Sequence, residues 1–362
     1  MQDLERAETE LVAPPPSRLR AVLGAVISLV AVAGCVAWAL NQEAPSFPNG
    51  AGGWALLLLG VAIYGVTILA RGRRWHEILR FAGVRHADDD AYALTTVGYM
   101  GNNVLPARGG EVLRIFLLAE RSSARRREVL GSILTERLLD AGALVALFAL
   151  LTALNVADSP AGRAPAFIAG GLLLSGLCAL GVYQRLRVAG RMERFADRVR
   201  PVAKASGLLV TRIGAALAVL TGAVWLTEAV IFWLVGVSLD LGVSVLESAL
   251  VVVLASFFAL IPAAPGYVGT YDAAVLFALH ALDVPGHEAI GAALLFRFVI
   301  FVPVTIAGLV LMVARYGGLR AALRRSAQPD APPASDPVAP PASPLVGSRP
   351  GSGGAPGTPS AR

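Results

Sequence analysis

Apolar residues fall along this chain in stretches of about 20, enough to cross a hydrocarbon core of about 30 Å as helix. The uninterrupted stretches are Ala21 to Leu40, Ala51 to Ala70, Val129 to Leu154, Pro165 to Tyr183, Ile213 to Val237 and Ile290 to Ala314, and each predicts a spanning helix. Two further stretches are interrupted. The first, Thr95 to Arg121, is broken by Asn102, Asn103, Pro106, Gly109 and Gly110. Asn and Gly favour turns, and proline removes a backbone donor and pushes the preceding residue out of the helical region. The pattern predicts two short helices, one over Ala91 to Val104 and one after Gly109, that enter the membrane and return. In the second, Leu246 to Ile261 and Thr270 to Leu282 flank a break at Pro262, Pro265, Gly266 and Gly269. Non-helical backbone at membrane depth persists only where protein or a water-filled cavity satisfies it. Both breaks therefore mark candidate polar sites.

The expected fold is all-α, with six spanning helices and two re-entrant hairpins. Each half reads span, span, hairpin, span, and the two halves start on opposite sides, which makes an inverted repeat. Paired broken helices at corresponding places in such halves point to a substrate site near the midplane. The domain layout is a tail over 1–18, a membrane domain over 19–316 with halves 19–154 and 165–316, and a tail over 317–362 whose Pro, Ala, Ser and Gly content predicts disorder. Arg71, Arg73 and Arg74 read as the cytoplasmic end of the second span. Trp75, Ile78, Leu79 and Ala82, beside Arg80 and Arg85, read as a short interfacial helix, and Arg185 to Lys204 as a basic amphipathic helix on the membrane surface.

Composition agrees: 56% of residues are hydrophobic, 15% are charged and the mean hydropathy is +0.65, the profile of a polytopic membrane protein. The net charge of +6 says less than its placement. The layout puts 26 Lys and Arg residues on one side and Arg163 alone on the other. By the positive-inside rule both termini are cytoplasmic in a cell membrane, the first hairpin entering from the cytoplasm and the second from outside. Anionic lipid accounts for the basic helix, and no nucleic-acid partner is expected. Cys35 and Cys178 lie in apolar runs without disulfide or metal spacing. His76, His86, His280 and His287 are scattered and read as interfacial or loop residues. No P-loop, HExxH or GxSxG occurs, so no catalytic site, cofactor, metal or ATP-driven pumping is expected.

An ionisable side chain at a spanning-helix centre costs about 2.5 to 3.5 kcal/mol even on lenient scales, so each is a candidate site residue. Asn103, Arg108, Glu111 and Arg114 adjoin the first break. Glu136, Arg137 and Asp140 share the third span; the spacing predicts an Arg137–Asp140 pair, structural or functional, and leaves one acid needing a partner elsewhere. Glu228 reads as a buried hydrogen bond to a neighbouring helix. Asp272 and Arg297 complete the set, with Arg297 at roughly the repeat equivalent of Arg137. Helix N-termini at the breaks suit a phosphate or carboxylate. The expected ligand is an anionic lipid headgroup, guided by Arg108, Arg114 and Arg297.

Four stretches carry a resemblance: NNVLPARGGEVLR at Asn102 to Arg114, LTERLLD at Leu134 to Asp140, PAAPGYVGTYDAA at Pro262 to Ala274 and LLFRFVIFVP at Leu294 to Pro303. In this order they resemble the lysylphosphatidylglycerol synthase transmembrane-region family, over Leu19 to Tyr316. The resemblance implies a flippase-like domain that moves lipids between leaflets, fused in some members to a cytoplasmic aminoacyl transferase domain that is not expected here. One motif departs from the family pattern: Gly266-Tyr267 and Asp272 stand where the pattern has Gly-Gly and Glu. Three readings follow. The first is a flippase for an anionic phospho- or polyprenyl-type lipid, the second a small-anion transporter, and the third a non-transporting membrane subunit beside a separate lipid-modifying or glycosyl-transferring enzyme.

Overall fold

The computed structural model describes residues 40, 43–105, 108–122, 124–154, 207–259 and 265–318, and all regular structure among them is helical. In chain order the helices are α1 (Gly50–Ala82), α2 (Asp88–Val104), α3 (Gly109–Arg121), α4 (Arg126–Ala153), α5 (Arg212–Ser238), α6 (Val245–Phe258), α7 (Thr270–His280) and α8 (Gly286–Tyr316). Short 3-10 turns occupy Gly207–Val210 and Pro265–Tyr267. Helices α1, α5 and α8 are long and apolar enough to cross a membrane. Helix α4 is about 42 Å long at about 1.5 Å per residue, but it carries Glu136, Arg137 and Asp140. Residues 21–39 of the first predicted span, the predicted span Pro165 to Tyr183, the basic helix, the tail over 1–18, residues 319–362 of the other tail, the two cysteines, Pro106 and Pro262 lie outside the described residues.

The largest departure from the sequence reading is α1. Instead of a span, a cytoplasmic end and an interfacial helix, a single helix of 33 residues runs from Gly50 to Ala82. Its buried residues include Leu57, Gly60, Tyr64, Ile68, Arg71, Trp75, Ile78 and Ala82, steps of three or four that draw one continuous inward stripe. Trp75, Ile78 and Leu79 are fully buried. Trp75 donates its indole N–H to Ser132 Oγ at 3.0 Å, so these residues pack against protein where a headgroup layer was expected. Arg71 and Arg74 fall on the same stripe and are buried with it.

Both hairpins form. Helix α2 is 17 residues long, about 25 Å, too short to cross a hydrocarbon core of about 30 Å. It packs antiparallel on α3 through glycine: a Cβ on Gly101 would come within 2.6 Å of the Gly110 Cα, and one on Gly110 would run into the Gly98 carbonyl oxygen. Gly110 N–H in turn donates to Asn102 Oδ1 at 3.1 Å. Where lipid is as apolar as the helix surface, such close backbone approach supplies the dispersion contacts that hold helices together. Helix α8 lies along α2, and α6 packs on α7 and α5. One apolar cluster centres on α5, α6 and α8, and a second on α2, α3 and the end of α1. Outward residues such as Leu58, Val66, Val219, Val310 and Val313 are exposed and apolar, which fits a surface wetted by hydrocarbon.

Asp90 is buried at the start of α2 and accepts from Arg121 of α3 at 3.2 Å and from Arg315 of α8 at 2.9 Å. Arg315 also pairs with Asp89 at 2.6 Å. That hydrogen bond holds the Asp89 carboxyl below the usual carboxylate range. Three helix ends are thus clamped together. The histidines are less scattered than expected: His76 Nδ1 lies 3.0 Å from His86 Nε2, with His86 Nδ1 set against the Val84 carbonyl at 2.9 Å.

Candidate functional site

Two groups of charges occupy the interior, and they differ in how tightly they are held. The first is built on the inward stripe of α1. Arg74, with no exposed surface, sends Nη1 to Asp140 Oδ1 at 2.6 Å, Nη2 to Asp140 Oδ2 at 3.2 Å and Nη2 to Glu136 Oε1 at 2.9 Å. It also donates to Thr221 Oγ1 of α5 at 3.0 Å. The other oxygen of Glu136 accepts from Arg114 Nη2 at 2.7 Å, and the Arg114 guanidinium lies 3.9 Å from the Trp75 ring centre. Arg71 binds Glu228 of α5 through Nη2 and donates to the Tyr99 hydroxyl through Nη1 at 2.6 Å, with the Trp225 ring 5.2 Å away. Planar guanidinium forks suit this pairing, and the pairs draw on side chains from five helices.

This network revises several expectations. Asp140 has Arg74 as its close partner, with Arg137 at 3.4 Å behind it. Glu136 finds Arg74 and Arg114 where the sequence named no partner. Glu228, read as a hydrogen bond to a neighbour, is an ion pair with Arg71. Arg71 and Arg74 were missed outright as interior residues. The signal was present: both continue the three-and-four spacing from Leu57 to Ala82, and only the habit of ending a span at an arginine hides it.

The second group lies where the hairpin breaks meet. Arg108 caps α3 with φ 58°, and Tyr267 in the second break has φ 56°. Left-handed backbone costs an ordinary residue about 1 to 2 kcal/mol, and it concentrates where a surrounding structure imposes it. The two strained residues face each other: the Arg108 guanidinium lies 5.8 Å from the Tyr267 ring centre and donates to the Ala259 carbonyl at 3.2 Å. Asn103 donates to Thr305 Oγ1 of α8 at 2.8 Å. Arg297 of α8 holds the second break in shape, donating to Asp272 Oδ1 at 2.8 Å and to the Gly266 carbonyl at 2.9 Å. Asp272 Oδ2 accepts from Gly269 N–H at 2.9 Å, and Pro265 opens the short turn that contains Gly266. Arg297 therefore serves Asp272 and its own hairpin.

Arg108 and Arg137 are held loosely. Both approach the same oxygen of Glu111, at 3.6 and 3.7 Å, beyond the 2.7 to 2.9 Å of a charge-assisted hydrogen bond. The other carboxylate oxygens near Arg137 lie at 3.4 and 3.8 Å. Their side chains are about a third exposed, in contrast to Arg74 and Arg114. Two cations thus face one carboxylate with donors to spare. No group of three metal-ligating side chains occurs among the described residues.

Residues 21–308 match the family described as the lysylphosphatidylglycerol synthase TM region. A glycosyltransferase, AglD of Haloferax volcanii, is 26% identical over 320 residues, which takes in 76% of this chain and 51% of that protein. The chain spans about half the length of that curated relative. It belongs to the lysylphosphatidylglycerol synthase transmembrane-region family.

Proposed function

From that membership and from the loosely held arginine pair, we propose that this protein moves an anionic lipid of phospho- or polyprenyl-phosphate type between leaflets, with its headgroup at Arg108, Arg137 and Glu111. The observation that carries the reading is the contrast between the two groups. Arg71, Arg74 and Arg114 each hydrogen-bond a buried carboxylate within the protein, whereas Arg108 and Arg137 share one distant carboxylate oxygen at the start of α3. A phosphate entering there would take short, charge-assisted bonds in place of two long ones. Basic residues on one side support cytoplasmic termini and entry of the first hairpin from the cytoplasm.

The test is leaflet exchange in vesicles carrying the purified protein and a fluorescent anionic phospholipid. Arg108→Gln abolishes exchange while the melting temperature stays near that of the wild type, and Arg108→Lys restores part of it, since an ammonium supplies charge but no planar fork. Full exchange by Arg108→Gln sinks the headgroup assignment. The name of the archaeal relative favours a second reading, a membrane subunit serving glycosyl transfer on a lipid carrier. In that case exchange is absent from all variants, and a glycosyltransferase co-purifies.

A further inference from the structure

The interior charges do not balance. Arg71 and Glu228 form a matched pair. The rest are joined contact by contact: Arg74 to Asp140 at 2.6 Å and to Glu136 at 2.9 Å, Arg114 to Glu136 at 2.7 Å, Arg137 to Asp140 at 3.4 Å and to Glu111 at 3.7 Å, and Arg108 to Glu111 at 3.6 Å. Four guanidinium groups thus stand against three carboxylates, a surplus of one positive charge. By contrast, Arg297 matches Asp272, and at the helix ends Arg121 and Arg315 match Asp89 and Asp90. Outside the described residues, the parts of the apolar runs and hairpin breaks at 21–39, 106–107, 165–183 and 260–264 contain no Asp, Glu, Lys or Arg, so they hold nothing that makes up the difference.

The surplus is local. Arg74 and Arg114 are buried and take up Glu136 and Asp140 at hydrogen-bonding distance, two charges against two. That leaves Arg108 and Arg137 with Glu111, and these keep 29%, 30% and 22% of their side chains open. An unmatched charge in a medium of low dielectric is unfavourable, so an anion stabilises this corner of the protein. The charge that suits it follows from two opposing dependences. Attraction to the site grows in proportion to the charge of the ligand, whereas the cost of taking the ligand out of water grows as its square. Against a surplus of one, a monoanion restores neutrality. A dianion reverses the imbalance and is about four times as costly to dehydrate.

We propose that the site at Arg108, Arg137 and Glu111 selects a headgroup of single net negative charge, a lipid phosphodiester, over phosphomonoester dianions and over zwitterionic headgroups. The proposal rests on the lipid-transport reading and deepens it by naming the charge class of the substrate. A phosphodiester carries one permanent charge shared by two non-bridging oxygens, so each guanidinium can face one oxygen. Glu111 sets the selection. It holds the local surplus at one, and without it the same two arginines suit a dianion.

The test compares headgroups on one fluorescent acyl chain, in phosphatidylcholine vesicles carrying the full-length protein at about pH 8.5, where a phosphomonoester, whose second pKa is about 6, is a dianion. Leaflet exchange, corrected for protein-free vesicles, is faster for phosphatidylglycerol than for phosphatidic acid or phosphatidylcholine by about tenfold. Glu111→Gln raises the local surplus to two, and the preference moves to phosphatidic acid. The Glu111 carboxylate lies no nearer than 3.6 Å to either arginine and glutamine has its shape, so the variant folds, which its melting temperature checks. If that temperature falls, the wild-type comparison decides alone. Wild type that exchanges phosphatidic acid or phosphatidylcholine as fast as phosphatidylglycerol overturns the proposal, as does a folded Glu111→Gln with the wild-type preference. Calorimetry with soluble headgroups on the same protein separates the two ideas. Glycerophosphoglycerol binding more tightly than glycerol phosphate, with no lipid exchanged, refutes lipid transport, makes the ligand a free phosphodiester and leaves the charge selection standing. Equal exchange of all three lipids leaves transport standing and refutes the selection, and neither binding nor exchange refutes both.

Discussion

Replacing Arg71 by methionine removes a cation from a fully enclosed position and leaves Glu228 without its partner in an apolar interior. Breaking one side of a buried pair costs about 3 to 5 kcal/mol, chiefly because the remaining charge is uncompensated. Loss of the bond to the Tyr99 hydroxyl adds about 1 kcal/mol. Together these lower the folded-to-unfolded ratio by about three to four powers of ten. Removing both charges, Arg71→Met with Glu228→Leu, leaves two apolar side chains of comparable size, and such swaps are often neutral or stabilising. The double variant therefore recovers most of the loss, and its destabilisation falls far short of the two single losses added together. The assay is the fraction of detergent-solubilised protein that stays monodisperse through a heating series, with leaflet exchange on the same preparations. If the double variant is as unstable as the two single losses added together, Arg71 and Glu228 are not each other's partners in the folded protein. If it is stable but does not exchange lipid, the pair acts in transport as well as in folding.

Three further outcomes follow from the same contacts. Gly110→Ala drives a methyl group into the Gly98 carbonyl and parts α2 from α3, an overpacking cost of about 1 to 3 kcal/mol or more read as a lower melting temperature; an unchanged melt means that the hairpin is more loosely packed than described. Asp272→Asn weakens the grip on Arg297 that shapes the second break, so exchange falls while Asp272→Glu retains part of it; full activity in Asp272→Asn shows that this break needs no charge. Asp89, with its titration depressed by Arg315, contributes stability that is present above the ordinary aspartate range and is lost as pH falls through the lowered folded value. Arg315→Gln removes that contribution, so acid unfolding begins at higher pH than in wild type, and coincident acid curves refute the link.

The sequence by itself determined the elements that depend on local chemistry. A break at Asn102, Asn103 and Gly109-Gly110 dictates a hairpin because those residues favour turns and caps, and helix lengths follow from where apolar runs meet them. The composition fixed a membrane setting, and the charges inside the runs showed that the interior is polar somewhere. Partners were not legible. Whether Asp140 bonds Arg137 on its own helix or Arg74 on another depends on the rotation of α1 against α4, which is set by packing over many residues far apart in the chain. The same holds for Arg71 and Glu228, 157 positions apart. An arginine after an apolar run reads as a membrane boundary when water or headgroups are the only partners in view. Only the tertiary structure supplies buried carboxylates, and with them a reason for α1 to continue through Arg71 and Arg74 to Ala82. It likewise separated the arginines bound within the protein from Arg108 and Arg137, since spare hydrogen-bonding capacity is a property of distances between helices that no single stretch encodes.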